Sequence, residues 1–371
     1  MLESLSQINY VCSRCGSTNP VTTLEPLCSC GGLWQLDFKT PAFSMDLVDQ
    51  QEWSLFRYRK FLPIVGDDWK RITLGEGRTP IIKLNDDVLL KMDYFMPTLS
   101  FKDRGAALLM THCKTIGVTS VLQDSSGNAG NSVAAYSARA GIKCEIYVPE
   151  GTSAAKIKMI ESHNAKVHVI PGGRDVCAEA CRNRVINNHE YYASHVFNPF
   201  FFEGTKTYIY EVYEQLGRIP ENLFVPLGNG TLFIGIVKAL EELYRSGILE
   251  QMPQIFAVQS EYCAPIFQAW KSNKTKPETI IAKETLAEGV AVGVPLRGDE
   301  ILQYIYKYDV VMLTSPEDRI LDARKELAHK GIFCEHTSAA TYAAYQEFVE
   351  TVGPLHDCLI PMCGAGLKSE K

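Results

Sequence analysis

Three short segments hold residues whose types and spacing could do chemistry. In "PTLSFKDRG", Lys102 falls between Phe101 and Asp103 at the start of a helical pattern. Ser100 and Asp103 have the spacing of a capping box, in which the serine hydroxyl accepts the amide three residues on and the carboxylate answers the cap amide. That accounts for both of them and leaves Lys102 over, because a cation is disfavoured at the positive end of a helix. The same field, with burial beside Phe101, favours the neutral amine, the form that attacks a carbonyl. A lysine that snorkels to solvent is the plain alternative. In "QDSSGNAGNS", the residues Ser125, Ser126, Gly127 and Asn128 follow the strand-like "SVL" and offer hydroxyls and converging amides to a carboxylate or phosphate. An ordinary serine-rich turn would look similar. In "PLGNGTLFIGI", Gly228, Asn229, Gly230 and Thr231 again join a strand to a helix and could wrap a phosphate monoester with main-chain amides. Neither GxGxxG nor GxxxxGK[ST] is present there, which argues against a nucleoside triphosphate.

Together the three segments ask for one ligand with a carbonyl for Lys102 and a phosphate for residues 228–231, alongside a carboxylate-bearing partner for Ser125 and Ser126. Pyridoxal phosphate with a small amino-acid substrate meets these demands.

A fourth cluster lies at the front. "CSRCGSTNPVTTLEPLCSCGG" holds Cys12 and Cys15 as CxxC, and Cys28 and Cys30 as CxC. Four thiolates on two tight turns can close a tetrahedral zinc site, with Gly16, Gly31 and Gly32 letting the backbone curl. The spacing predicts a zinc ribbon over about residues 8–38, with free or redox-active cysteines as the alternative. Only Arg14 and Lys39 are cationic in residues 1–40, so the ribbon reads as a structural or docking module, not a nucleic-acid binder.

The elements that must position these residues alternate along the chain. Apolar or β-branched runs at 88–94, 120–124, 144–150, 166–172, 223–228, 254–260 and 358–364 are separated by helical patterns, among them 128–141, 205–217 and 231–247. Alternation predicts an α/β fold with parallel sheets covered on both faces, and ligands at the carboxyl ends of strands. With 371 residues, two domains are expected. A net charge of −6 argues against nucleic-acid or acidic-membrane partners. The expected location is the cytoplasm, since there is no apolar span for a bilayer and no export signal. The remaining eight of the twelve cysteines, scattered through apolar segments, read as buried thiols.

With these motifs in order, the chain resembles the fold type II pyridoxal-phosphate enzymes, and among them the threonine synthase-like branch. "PTLSFKDRG" resembles the branch's lysine motif, "SSGNAG" its asparagine loop, "GNGTL" its phosphate loop and "CGAGLK" its C-terminal pyridine motif. "NPFFFEGTKT", "AEGVAVG" and "EHTSAAT" also look like family segments. The resemblance implies a tryptophan synthase β-like fold of two domains behind the ribbon. Its divisions would be 1–39 for the ribbon, 40–95 with 200–371 for a large domain and 96–199 for a small one. It further implies that Lys102 bonds the cofactor's aldehyde carbon and moves protons at the substrate carbons. Asn128 would hydrogen-bond the ring oxygen, Phe101 would pack on the ring, and Gly228, Asn229, Gly230 and Thr231 would hold the phosphate. Ser125 and Ser126 would hold the substrate carboxylate. Cys363 would set a neutral thiol beside the pyridine nitrogen; by itself it reads as a small buried hydrophobe. A homodimer is expected from the resemblance.

This chain departs from the branch at several places. Met96 and Leu99 replace an Asn and a Gly of the lysine motif, Ala129 replaces a hydroxyl residue, and Phe201 stands where an arginine commonly binds the phosphate of O-phosphohomoserine. The expected activity is a lyase that eliminates a leaving group from a small amino acid and adds water, with O-phosphohomoserine as the default substrate. The alternatives are a serine or threonine dehydratase or a β-replacement enzyme, towards which Phe201 tilts, and a non-catalytic binding protein.

Overall fold

The computed structural model describes residues 4–369. In chain order its strands are β1 (Asn9–Cys12), β2 (Thr18–Pro20), β3 (Trp34–Asp37), β4 (Ile81–Lys83), β5 (Val88–Lys91), β6 (Ser120–Gln123), β7 (Lys143–Pro149), β8 (Lys166–Ile170), β9 (Tyr191–Tyr192), β10 (Asn222–Pro226), β11 (Gln254–Ser260), β12 (Val311–Ser315) and β13 (Cys358–Pro361). The seven apolar runs read from the sequence are β5, β6, β7, β8, β10, β11 and β13. The chain divides into two compact units, one running up to Arg78 and resuming over Lys102–Thr207, the other made of Thr79–Phe101 and everything from Tyr208 onward. These boundaries differ from those implied by the resemblance: the ribbon and the segment up to Arg78 group with the residues around the smaller sheet.

In the first unit, β2, β1 and β3 form a three-stranded antiparallel sheet in that order. Four parallel strands, β8-β7-β6-β9, form the other sheet. Burial grades across it: β6 is buried at Val121, Leu122 and Gln123, whereas the edge strand β8 keeps Lys166 and Val169 exposed. The side chains of β6 divide between two cores, Val121 packing with Phe200 and Phe201 and Leu122 with Tyr192 and Phe197. That division follows from the two-residue period of a strand.

The second unit has a six-stranded sheet in the order β12-β11-β10-β13-β5-β4. Its central strand β10, "NLFVP", is buried at every position, as a parallel strand covered on both faces must be. Only β4 runs antiparallel. The cause is local: Asn85 Oδ1 accepts the amides of Asp87 and Val88 and closes a short turn between β4 and β5. Lys91, an unexpected residue in a central run, is fully buried because Glu211 lies 2.9 Å away and the Thr79 carbonyl and Gln215 also accept from it.

The helical patterns appear as Asn128–Ala140, Thr207–Leu216 and Thr231–Arg245, and the first stops at Gly141 with φ +68°. The capping box does not form. The helix begins at Lys102, and the Ser100 hydroxyl is buried with no hydrogen-bond partner. Ser100 instead bridges to Gly364 as extended backbone, directly after Leu99 at φ +61°. An extended Ser100 committed to that bridge is one residue too early to cap this helix.

Candidate active site and metal centre

In the first unit Lys102 is the half-buried first residue of the helix Lys102–Thr115. That helix lies hard against a short one, Phe200–Thr205. A Cβ on Gly105 would come 2.2 Å from the Phe201 ring, and one on Gly204 would come 2.1 Å from the Arg104 carbonyl oxygen, so two glycines permit the approach. The Arg104 guanidinium, fully buried, donates to Thr207 Oγ1 at 3.1 Å across the same contact. The fully buried Phe201 ring thereby becomes a wall for Lys102, whose Nζ stands 5.9 Å from the ring centroid. The His195 ring meets the same Phe201 ring edge-on at 5.9 Å.

Past the carboxyl end of β6, residues 124–127 turn into the helix Asn128–Ala140, which starts at Gly127 without a side-chain cap. Ser125 Oγ accepts the Gly127 amide at 3.3 Å. A Cβ on Gly130 would lie 1.8 Å from the Ser125 carbonyl oxygen, so this glycine lets the helix sit on the turn and fixes Ser125, Ser126 and Asn128 as one piece. Gln123, with no exposure at all, has neither amide atom partnered, and Asn131 Oδ1 and His195 Nδ1 are likewise buried without partners. Burial, then the positive charges of Lys102 and Arg174, hold the His195 imidazole well below its ordinary pKa, so it is neutral.

The second unit carries the glycine turn. After β10 the chain passes Gly228 and Asn229 to Gly230, at φ +79°, and into the helix Thr231–Arg245, again with no side-chain cap. A Cβ on Gly228 would stand 2.9 Å from the Gly289 carbonyl oxygen, and one on Gly230 would stand 2.6 Å from Ile301. Main-chain amides at a positive helix end, with no side chain to fill the cradle, suit a phosphate. Cys363, just beyond β13 and 1% exposed, accepts the Phe101 amide on its carbonyl at 2.9 Å, and its own amide donates to Ser338 Oγ at 2.8 Å. Phe101 and Cys363 are thus joined through their backbones. Each unit by itself carries donors that suit part of pyridoxal phosphate: the first an amine at Lys102 and an amide side chain at Asn128, the second an uncapped turn at 228–231 and a thiol at Cys363.

The four front cysteines converge, with all their Sγ atoms within 4.8 Å of one another. Cys12 and Cys30 are 3.4 Å apart, and Cys15 and Cys28 are 3.7 Å apart. Four sulfurs about 2.3 Å from a zinc ion would be separated by about 3.8 Å, so the cluster could hold one with little movement. Hydrogen bonding with Ser17 pulls the Cys15 thiol down to about 6, towards the ligating thiolate. A Cβ on Gly32 would lie 2.4 Å from Cys12 Sγ, which explains the double glycine after Cys30. The ribbon is anchored through aromatic side chains: Tyr10 stacks on Trp34 and meets Phe200 edge-on, and His112 stacks on Phe200 at 3.7 Å while bonding the Val21 carbonyl at 3.0 Å.

Gln123 and Ser338 lie within segments quoted above and His195 within none, yet no motif gave any of the three a role; the signal in each case is a buried polar group, which only the packing reveals.

The family model described as "Pyridoxal-phosphate dependent enzyme" matches residues 72–364. The chain is similar to the threonine synthase of Methanocaldococcus jannaschii, 31% identical over 354 residues, which cover 91% of this chain and 87% of that one. It is also similar to the threonine synthase of Mycobacterium leprae, 32% identical over 302 residues, covering 79% and 81% of the two chains. Among solved structures, maize serine racemase matches at a TM-score of 0.68 and 19% identity over 81% of this chain and 91% of that one. The processed form of threonine deaminase isoform 2 from Solanum lycopersicum matches at 0.63 and 21% over 75% and 79%. At those identities the two structures speak for the fold alone.

Proposed function

The chain belongs to the pyridoxal-phosphate dependent enzymes, and on that premise we propose that it is a threonine synthase-like lyase, eliminating a leaving group from a small amino acid and adding water. The observation that carries this reading is the similarity to threonine synthases across most of the chain. O-phosphohomoserine is the first substrate to try. When bound, pyridoxal phosphate supplies the electron sink that makes the substrate's α-proton acidic.

The chain's own residues supply the rest. Lys102 would hold the cofactor through its aldehyde carbon, and its amine would take the substrate's α-proton and return protons to the substrate carbons. Asn128 would bond the ring oxygen, Phe101 would flank the ring, and the amides of Gly228, Asn229, Gly230 and Thr231 would hold the phosphate. The Cys363 thiol would serve the pyridine nitrogen as a neutral partner, an environment that would favour elimination over fuller carbanion chemistry. Ser125 and Ser126 bind the substrate carboxylate. Cys12, Cys15, Cys28 and Cys30 hold a structural zinc ion, and the active form is a cytoplasmic homodimer.

A second reading, a serine or threonine dehydratase or a β-replacement enzyme, is favoured by Phe201, fully buried beside Lys102 where a phosphate-binding cation would serve O-phosphohomoserine. A screen of small amino acids and their O-phospho derivatives separates the two. Threonine with inorganic phosphate from O-phosphohomoserine supports the first; a 2-oxo acid with ammonia from serine or threonine supports the second. A visible absorption band from bound cofactor should be present in the wild type and lost in Lys102→Ala. A colourless wild type that takes up no pyridoxal phosphate would end both readings.

A further inference from the structure

We propose that Gln123 and His195 form a water subsite beside Lys102, holding the molecule that adds to the substrate after its leaving group has gone. The inference rests on the lyase reading above, with Lys102 as the proton-moving amine.

Gln123 is the last residue of β6, at the carboxyl end where a parallel sheet receives its ligand. It is fully buried, yet both ends of its amide lack a partner within the protein. Alternation along β6 puts its side chain on the face of Val121, the face that packs with Phe200 and Phe201. The neighbouring strand continues alongside, since the Ala193 amide donates to the Leu122 carbonyl at 2.8 Å, and His195 follows two residues later. The imidazole turns to the same side, because its ring meets Phe201. Phe201 is in turn the wall beside Lys102 Nζ. An unpartnered amide and an unpartnered ring nitrogen therefore share one face with the lysine.

Buried polar groups in folded proteins nearly always have partners, and those left over are explained by bound water or by a role in reaction. Buried water takes two to four hydrogen bonds. Gln123 Nε2 can donate to a water oxygen, while Gln123 Oε1 and His195 Nδ1 can accept from its protons. Both side chains are uncharged, His195 because burial and the charges of Lys102 and Arg174 keep it so. An uncharged pair favours water over a phosphate dianion.

The step balances without a further reactant. Once the leaving group has departed, the enzyme holds an unsaturated amino acid. The α-carbon takes a proton from the Lys102 ammonium, and the water oxygen bonds to the β-carbon as one O–H bond breaks, its proton passing to the amine so freed. One water is added across the double bond and Lys102 ends as it began, while Gln123 and His195 hold the water and stay uncharged.

Product partition tests this. Without a held water, the unsaturated intermediate leaves the enzyme and hydrolyses to a 2-oxo acid and ammonia. With O-phosphohomoserine, Gln123→Met and His195→Phe should raise the ratio of 2-oxo acid to threonine, counted per phosphate released, at least about tenfold. The visible cofactor band should be unchanged. His195→Asn, which keeps a polar atom, should restore most of the wild-type ratio, and this milder variant guards against a loss of folding in the others. An unchanged partition in variants that retain the cofactor band overturns the inference while the lyase reading stands. So does a rise in KM with no change in partition, which would make these groups substrate ligands. A wild type that yields phosphate but no threonine, or no cofactor band at all, overturns the lyase reading and this inference with it.

Discussion

Gly105 and Phe201 are shaped to each other, and the cost of disturbing them should be measurable. A methyl group on Gly105 has no room beside the ring, so Gly105→Ala should destabilise by about 1–3 kcal/mol, the usual range for overpacking a core. In a Phe201→Ala background the same change should cost much less, and a double-mutant cycle from denaturant unfolding checks this. His112 sets a pH dependence. Burial holds its folded pKa at about 3, below the 6.5 of the unfolded chain. Above pH 6.5 both states are neutral and the His112 contacts stabilise fully. As pH falls towards 3 only the unfolded chain takes up the proton, and that stability is lost. His112→Gln should flatten the fall in Tm between pH 7 and pH 5 relative to wild type. At this scale the sequence spoke where a residue broke a local rule, as Lys102 does at a helix start. Gln123 and His195 break no local rule; their unpartnered state is a property of what surrounds them.

The two glycines of the 228–230 turn carry a prediction about an element. Gly230 needs a left-handed φ and Gly228 has a backbone carbonyl where a side chain would go. Gly228→Ala or Gly230→Ala should therefore weaken pyridoxal phosphate binding by at least about tenfold in a spectral titration. The sulfur cluster predicts about one zinc per chain by metal analysis, and Cys12→Ser should lose it and lower Tm. Elements with a strong period were legible: β10 and β11 as unbroken apolar runs, the helix Thr231–Arg245 by its face. Strands β4 and β9 were not, being three and two residues long, too short for any period to register. The capping box at Ser100 was a correct local pattern overridden by a tertiary one, the bridge to Gly364.

At the scale of the molecule, ligand binding and stability are linked. Added pyridoxal phosphate should raise Tm with concentration, by the stabilisation of about 2.7 kcal/mol expected at a hundredfold excess over Kd. Lys102→Ala should reduce that rise without abolishing it, since the phosphate turn remains. Among the described residues no helix is long and apolar enough to cross a membrane. The alternation that announced an α/β chain could not announce that residues 79–101 belong with a sheet completed only near the C-terminus, because partnership between distant strands leaves no local mark.

That interruption bears on how the protein is made. Among the described residues, strand β5 pairs with its hairpin partner β4 and with β13, whose register sets Cys358 against Val88. At about 5–20 residues per second, translation of the roughly 270 residues between them takes on the order of 15–50 seconds. Throughout that interval the hairpin leaves the ribosome with an open apolar edge, while the unit that surrounds it in sequence is complete once Thr207 has emerged. Nascent chains halted between residues 250 and 350, with Thr207 outside the ribosome, should resist protease over the first unit and be cut within 79–101, making this short insertion the stretch most exposed to chaperone capture.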